Sequence, residues 1–210
     1  MAPNRVHILQ HWVARRLGTI RHEQRVARIA AHLFDLTAHL HGLGSVHRRM
    51  LRMGALLHDV GRYYGSRRHH IRGCRMILES SRLPLNAVER RAAAYLARYH
   101  RKRVPRAEEQ SFVECEDERR AFECLLAILR TADALDSRLV VSPALTMRLV
   151  GRRLSIHCFV KGRWRDTCRA FRKRRKFRLL KEHLDVRVEV ELRKVDAPEM
   201  VPKGTNRLLR

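Results

Sequence analysis

The chain has 210 residues, 45% of them apolar, which is enough for a real core and too many for a disordered chain. Its 46 Lys plus Arg against 21 Asp plus Glu leave a net charge of +25, which favours polyanionic partners such as nucleic acid, polyphosphate, nucleotides or an anionic membrane face. No run approaches the roughly 18 apolar residues of a membrane span, and the N-terminus lacks the continuous apolar stretch of a secretory signal. Only seven of the basic residues are Lys, so an Arg-heavy composition accounts for part of the excess. Five cysteines, an odd number with no CxxC pair, read as free thiols in a reducing, cytoplasmic compartment.

In chain order, Val6, Leu9, Val13 and Leu17 suit a first helix within an N-terminal segment 1–20. The Arg-rich, acid-free start also loosely resembles a transit peptide. From residue 21 to about 140 the pattern is helical. Val26, Ile29, Ala30, Leu33 and Leu40 recur at helix spacing, and segments near 48–61 and 69–80 follow. "PLNAVERRAAAYLARYH" offers Asn86 as N-cap with Glu89 three residues on. "DERRAFECLLAILRTADALDSR" carries a stripe of Phe122, Leu125, Leu126 and Leu129. After Pro143 the period changes to two: Leu145, Met147, Leu149, then Leu154, Ile156, Cys158, Val160, with Gly151-Arg152 suited to a two-residue hairpin turn. A basic, helical stretch leads to a last alternating run, Val186, Val188, Val190 and Leu192. The expected architecture is mainly α: a helical bundle over 21–140, then a small basic α+β domain over 144–195, then a flexible tail, 196–210. Residues 141–210 hold 20 basic and 7 acidic side chains, about twice the basicity per residue of the rest.

Several titratable residues interrupt apolar helical stripes. His22 precedes Val26, Ile29 and Leu33; His58 follows Leu51 and Ala55, with Asp59 beside it; His100 lies four after Leu96; Asp133 lies four after Leu129. His69 and His70 add further imidazole. A lone buried His is commonly a satisfied core residue, and a lone Asp near a helix end a cap. Their coincidence on separate helices is a stronger signal. Imidazole nitrogens and carboxylate oxygens suit Zn, Fe, Mn and related ions, and a cation removes the cost of burying them unpaired. The number of groups exceeds one tetrahedral zinc and suits two divalent metal ions with Asp59 between them.

The order His22 … His58-Asp59 … His69 … His100 … Asp133 resembles the HD-domain superfamily of helical, metal-dependent phosphohydrolases. "LHDVGRYYGSRRHHIRGCRMIL", "LARYHRKRVP" and "LRTADALDSR" are similar to the HD-type domain near the C-terminus of the exopolyphosphatase/guanosine-pentaphosphate phosphatase family. The resemblance implies metal ligation by His22, His58, Asp59 and Asp133, extended by His69, with His70 as its rival, and His100. That family's phosphate chemistry belongs to actin-like domains with Gly-rich loops, and no such loops occur here.

Three functional readings fit these residues. In the first, a hydrolase, Asp59 with Arg101 and Arg138 serves catalysis, while Arg62, Arg67, Arg68 and Lys102 receive an anionic phosphate substrate, since guanidinium forks engage phosphate bidentately. Asp136 orients a ligand imidazole or caps its helix. In the second, the fold is a scaffold and the stretch 169–181 docks RNA or polyphosphate, with Phe171 and Phe177 stacking on bases or facing the core. A subunit pairing with a separate actin-like partner is a third reading. Substrate identity, the choice among Fe, Mn and Zn, and oligomeric state are not encoded in these patterns.

Overall fold

The structure, a computed structural model, describes residues 4–101, 104, 112–136, 138, 143–160, 165, 168 and 174–194. Lys102, residues 169–173 of the basic stretch 169–181, Phe171 among them, and the tail 196–210 lie outside the described residues.

The chain is mainly helical with a small three-stranded sheet. Helix α1 (Arg5–Leu17) turns Leu9, Trp12 and Val13 inward, and Asn4 caps its start. Helix α2 (Arg21–Leu36) buries Val26, Ile29, Ala30 and Leu33 as the spacing predicts. It does not run on to Leu40. The Thr37 hydroxyl donates back to Leu33 O at 2.7 Å, the chain leaves helical geometry there, and a short α3 (Ala38–His41) follows. Helix α4 (Ser45–Leu57) ends before the expected residue 61, and the chain continues as a 3-10 turn (Val60–Tyr64). Helix α5 (His69–Glu79) starts from Arg68, whose φ of 55° lies in the left-handed region. Helix α6 (Ala87–Tyr99) opens on the expected capping box, Glu89 N donating to Asn86 Oδ1 at 2.9 Å and Asn86 N to Glu89 Oε2 at 3.0 Å. Helix α7 (Glu116–Ala134) starts with three acidic residues against its dipole and buries its stripe almost completely.

Strands β1 (Ala144–Val150) and β2 (Arg153–Val160) form the hairpin, paired from Ala144↔Phe159 to Val150↔Arg153 across Gly151-Arg152, with Gly151 at φ 55°. Leu145, Met147, Leu154, Ile156 and Cys158 share the buried face. A 3-10 turn (Arg174–Phe177) and helix α8 (Arg178–Leu184) lead to β3 (Arg187–Lys194), which pairs parallel with β2, so β2 is central. The parallel pairing requires a crossover, and α8 within it packs on α7. One apolar cluster runs from α2, α4, α6 and α7 through Leu145, Met147, Leu154, Ile156 and Val186; a second joins α1, α4, α5 and α6. Among the described residues no helix is long and apolar enough to cross a membrane.

Candidate metal centre

The titratable residues singled out in the sequence sit at helix ends, and the bundle brings those ends together. His22 is the second residue of α2, His58 follows the last residue of α4, and Asp59 precedes the 3-10 turn. His69 opens α5, His100 closes α6 and Asp133 lies in the last turn of α7. All are buried. Gly61 makes the approach of α5 possible. A Cβ there would land on His69 O and on the Gly73 backbone, so only glycine lets the turn lie against α5 and bring His69 to Asp59.

Backbone carbonyls fix three imidazole tautomers. His58 Nδ1 donates to Ala55 O at 2.7 Å, His69 Nδ1 to Ser66 O at 2.7 Å and His100 Nδ1 to Ala97 O at 2.8 Å. A carbonyl can only accept, so Nδ1 carries a proton in each ring and Nε2 is the nitrogen left to ligate. Those nitrogens converge. His69 Nε2 lies 3.2 Å from His100 Nε2, and they stand 3.1 and 3.4 Å from Asp59 Oδ1. His58 Nε2 is 3.8 Å from Asp133 Oδ1, and His22 Nε2 is 3.4 Å from the same oxygen. His22 Nδ1 donates to Asp136 Oδ2 at 2.8 Å, which orients the ring as carboxylate partners orient ligand imidazoles.

Lone pairs facing lone pairs and carboxylate oxygens repel unless a proton or a cation lies between them. His58 Nε2 and Asp59 Oδ1 are buried and make no well-aligned hydrogen bond. Two groups, His22/His58/Asp133 and His58/Asp59/His100, each place their ligand atoms within 4.8 Å of one another. The residues present therefore fit a divalent cation by donor type, convergence and orphaned atoms alike.

Charge in the cluster follows the same logic. Burial alone would raise the Asp59 pKa, but positive charge on the imidazole side of the cluster, at His58 first, holds it well below the usual carboxylate range, and a bound cation would act in the same direction. Asp133 is likewise held well down, against its own burial, by His22, His58 and Lys176. Burial opposes protonation of His22, yet Asp133 and Asp136 outweigh it and push its pKa up to about 9. Burial dominates at His100 and lowers it to about 4, so this ring stays neutral with Nε2 free.

Between His69 and His70 the structure brings His69 to Asp59 and His100; the His70 ring is buried edge-on to His69, with centroids 5.9 Å apart. Arg138 reaches Asp59 Oδ2 at 3.2 Å, and Arg62 lies 3.8 Å from it. Arg67, Arg68 and Arg101 are exposed, and among the described residues the ion pairs to the ligand carboxylates run through Arg62, Arg138 and Lys176. Phe177 faces the core. Two partners escaped the sequence reading. Glu23, fully buried, accepts from Arg138 at Oε1; its position three before Val26 and seven before Ala30 is the same stripe-interruption signal that marks His22. Lys176 pairs with Asp133 across 43 residues of sequence, a separation no local pattern reports.

The family model described as Ppx/GppA phosphatase, domain III, matches residues 19–173, most of the chain. Among curated proteins none matches it. The matched span takes in every ligand candidate and most of the sheet, so the chain belongs to the Ppx/GppA phosphatase family, a family related to polyphosphate and nucleotide phosphatases, through its domain III.

Proposed function

We propose that this chain is a metal-dependent phosphohydrolase acting on a phosphoester or phosphoanhydride of a nucleotide-like or polyphosphate substrate. The observation that carries the reading is the buried convergence of tautomer-fixed imidazoles on Asp59 and Asp133, with His58 Nε2 and Asp59 Oδ1 left without hydrogen bonds. His22, His58 and Asp133 would hold one ion, and Asp59, with His100, His69 and His58 around it, would hold a second. Fe, Mn and Zn are all compatible with these donors. Bound there, divalent ions supply Lewis acidity and an acidified water for attack on phosphorus.

The chain's own groups do the rest. Asp136 keeps the His22 ring aimed through Nδ1, and the Ala55, Ser66 and Ala97 carbonyls do the same for His58, His69 and His100. Arg138, held by Glu23, places a guanidinium beside Asp59, where charge builds on phosphoryl oxygens in the transition state. Arg62 adds a second cation at the same oxygen.

The test is elemental analysis of the purified chain beside a His58→Ala/Asp59→Ala double variant, followed by phosphate-release assays on nucleotides and inorganic polyphosphate. Near two equivalents of Fe, Mn or Zn, lost in the variant together with phosphate release, is the expected result. An absence of metal in the reconstituted wild type overturns the reading. The non-catalytic alternative, a polyanion-binding module or regulatory subunit, is favoured by one observation: the family match is to domain III alone, which does not by itself establish catalysis. Phosphate release that tracks metal content would set it aside.

A further inference from the structure

Both ligand carboxylates divide their oxygens in the same way. Oδ1 of Asp59 faces Nε2 of His69 and His100, and Oδ1 of Asp133 faces Nε2 of His22 and His58. Oδ2 of each is turned to a cation, although His58 Nε2 also lies 4.0 Å from Asp59 Oδ2. Asp59 Oδ2 takes the Arg138 guanidinium, with Nε at 3.3 Å and a terminal nitrogen at 3.2 Å, and Asp133 Oδ2 pairs with Lys176 Nζ.

Neither cation belongs to a ligand-bearing helix. Arg138 follows α7, and Lys176 sits in the 3-10 turn Arg174–Phe177 of the crossover. Phe177, buried in the main core cluster, pins that turn, and α8 beyond it packs on α7. The two side chains are 25% and 24% exposed, while the carboxylates they hold are 4% and 6% exposed. They therefore stand between the buried ligands and solvent.

We propose that Lys176 is, with Arg138, a phosphoryl-binding residue: the two cations receive non-bridging oxygens of the substrate's phosphoryl group. This rests on the metal-hydrolase reading. While no divalent ion offsets it, buried Asp133 draws its counter-charge from Lys176 together with the imidazole side of the cluster. A divalent ion on the imidazole-facing oxygens takes over that task. Lys176 and Arg138 then keep their charge on the solvent side with weakened partners, and a dianionic phosphoryl group is the ligand that restores the balance. Their donor geometries are complementary, a planar fork on Arg138 and a compact ammonium on Lys176. The inference also changes the role of the basic stretch 169–181, since at least one of its cations points into the site.

Wild type, Lys176→Gln, Lys176→Met and Lys176→Arg are compared in the full chain. Mn²⁺ uptake is measured first, then the affinity of the Mn²⁺-loaded proteins for inorganic phosphate by calorimetric titration, with a thermal melt on each. Lys176→Met keeps the aliphatic stem and stands in if Lys176→Gln folds poorly. The neutral variants are expected to bind Mn²⁺ at least as tightly as wild type, because a competing cation has left Asp133. Their phosphate affinity is expected to fall about tenfold or more, and Lys176→Arg to keep most of it. Unchanged phosphate affinity in Mn²⁺-loaded neutral variants overturns the proposal and leaves the metal centre standing. Loss of Mn²⁺ from neutral variants that still fold also overturns it, since the lysine then only organises Asp133. Where wild type takes up Fe²⁺ or Zn²⁺ but not Mn²⁺, the same comparison is made with that ion; failure to bind any of the three overturns the hydrolase reading itself, and this inference with it.

Discussion

His22 stands where proton and metal compete for one nitrogen. Its Nδ1 proton is committed to Asp136, so protonation and ligation both fall on Nε2, 3.4 Å from Asp133. With the folded pKa raised from 6.5 to about 9, the metal-free protein gains stability from this charge below about pH 6.5 and loses it as pH rises through 9. Metal binding must expel that proton. Titration of metal into the metal-free chain near pH 7.5, in buffers of different ionisation enthalpy, is therefore expected to show release of about one proton from His22, fading above pH 9. Equal heats in all buffers would refute this. At the same scale, the stripe rule that marks His22, His58, His100 and Asp133 also fits Glu23, which sits at helix spacing from Val26 and Ala30. The rule says a polar group is buried. What the group touches is a matter of other elements.

Among elements, the turn between α4 and α5 carries the most consequence. Its 3-10 geometry and Gly61 let the chain reverse against α5 so that Asp59 and His69 meet, although ten residues separate them. Gly61→Ala drives a methyl group into His69 O and the Gly73 backbone, which cannot yield as a flexible side chain would. Overpacking of this kind typically costs about 1–3 kcal/mol, and a thermal melt is expected to show a drop of that order together with reduced metal content. A variant that melts and binds metal like wild type would show that the turn has room to move. Most elements were legible because their signals are local: the Asn86–Glu89 capping box, the two-residue hairpin turn at Gly151, and the alternation of β1 and β2 all appear as read. The break at Thr37 and the early end of α4 were not. One coincides with a hydroxyl bonding back to Leu33, which the apolar stripe does not register, and the other precedes a 3-10 turn that lies against α5.

The whole molecule carries +25 charges on a fold whose main apolar cluster passes without interruption from the helices into the sheet. Arg25 ties the same parts together, bonding Pro143 O and pairing with Asp136 at 3.0 Å. A continuous core melts as a unit, so calorimetry is expected to give one cooperative transition for the full chain; two separable transitions would mark independent units. Self-repulsion of the excess charge is screened when the Debye length falls from about 30 Å at 0.01 M salt to about 8 Å at 0.15 M, and the melting temperature is expected to rise across that range.

By itself the sequence determined the helical class, the switch to alternating strands after Pro143, the family and the ligand candidates, because periodicity, capping and the spacing of His and Asp are properties of neighbours along the chain. Only the tertiary structure decided that His69, not His70, meets Asp59 and His100, that Glu23 backs Arg138, and that Lys176 reaches Asp133. Those contacts join residues from 10 to 115 positions apart. They exist because helix ends, a 3-10 turn and a crossover are packed at one end of the bundle, and packing across such distances leaves no periodic trace in the sequence.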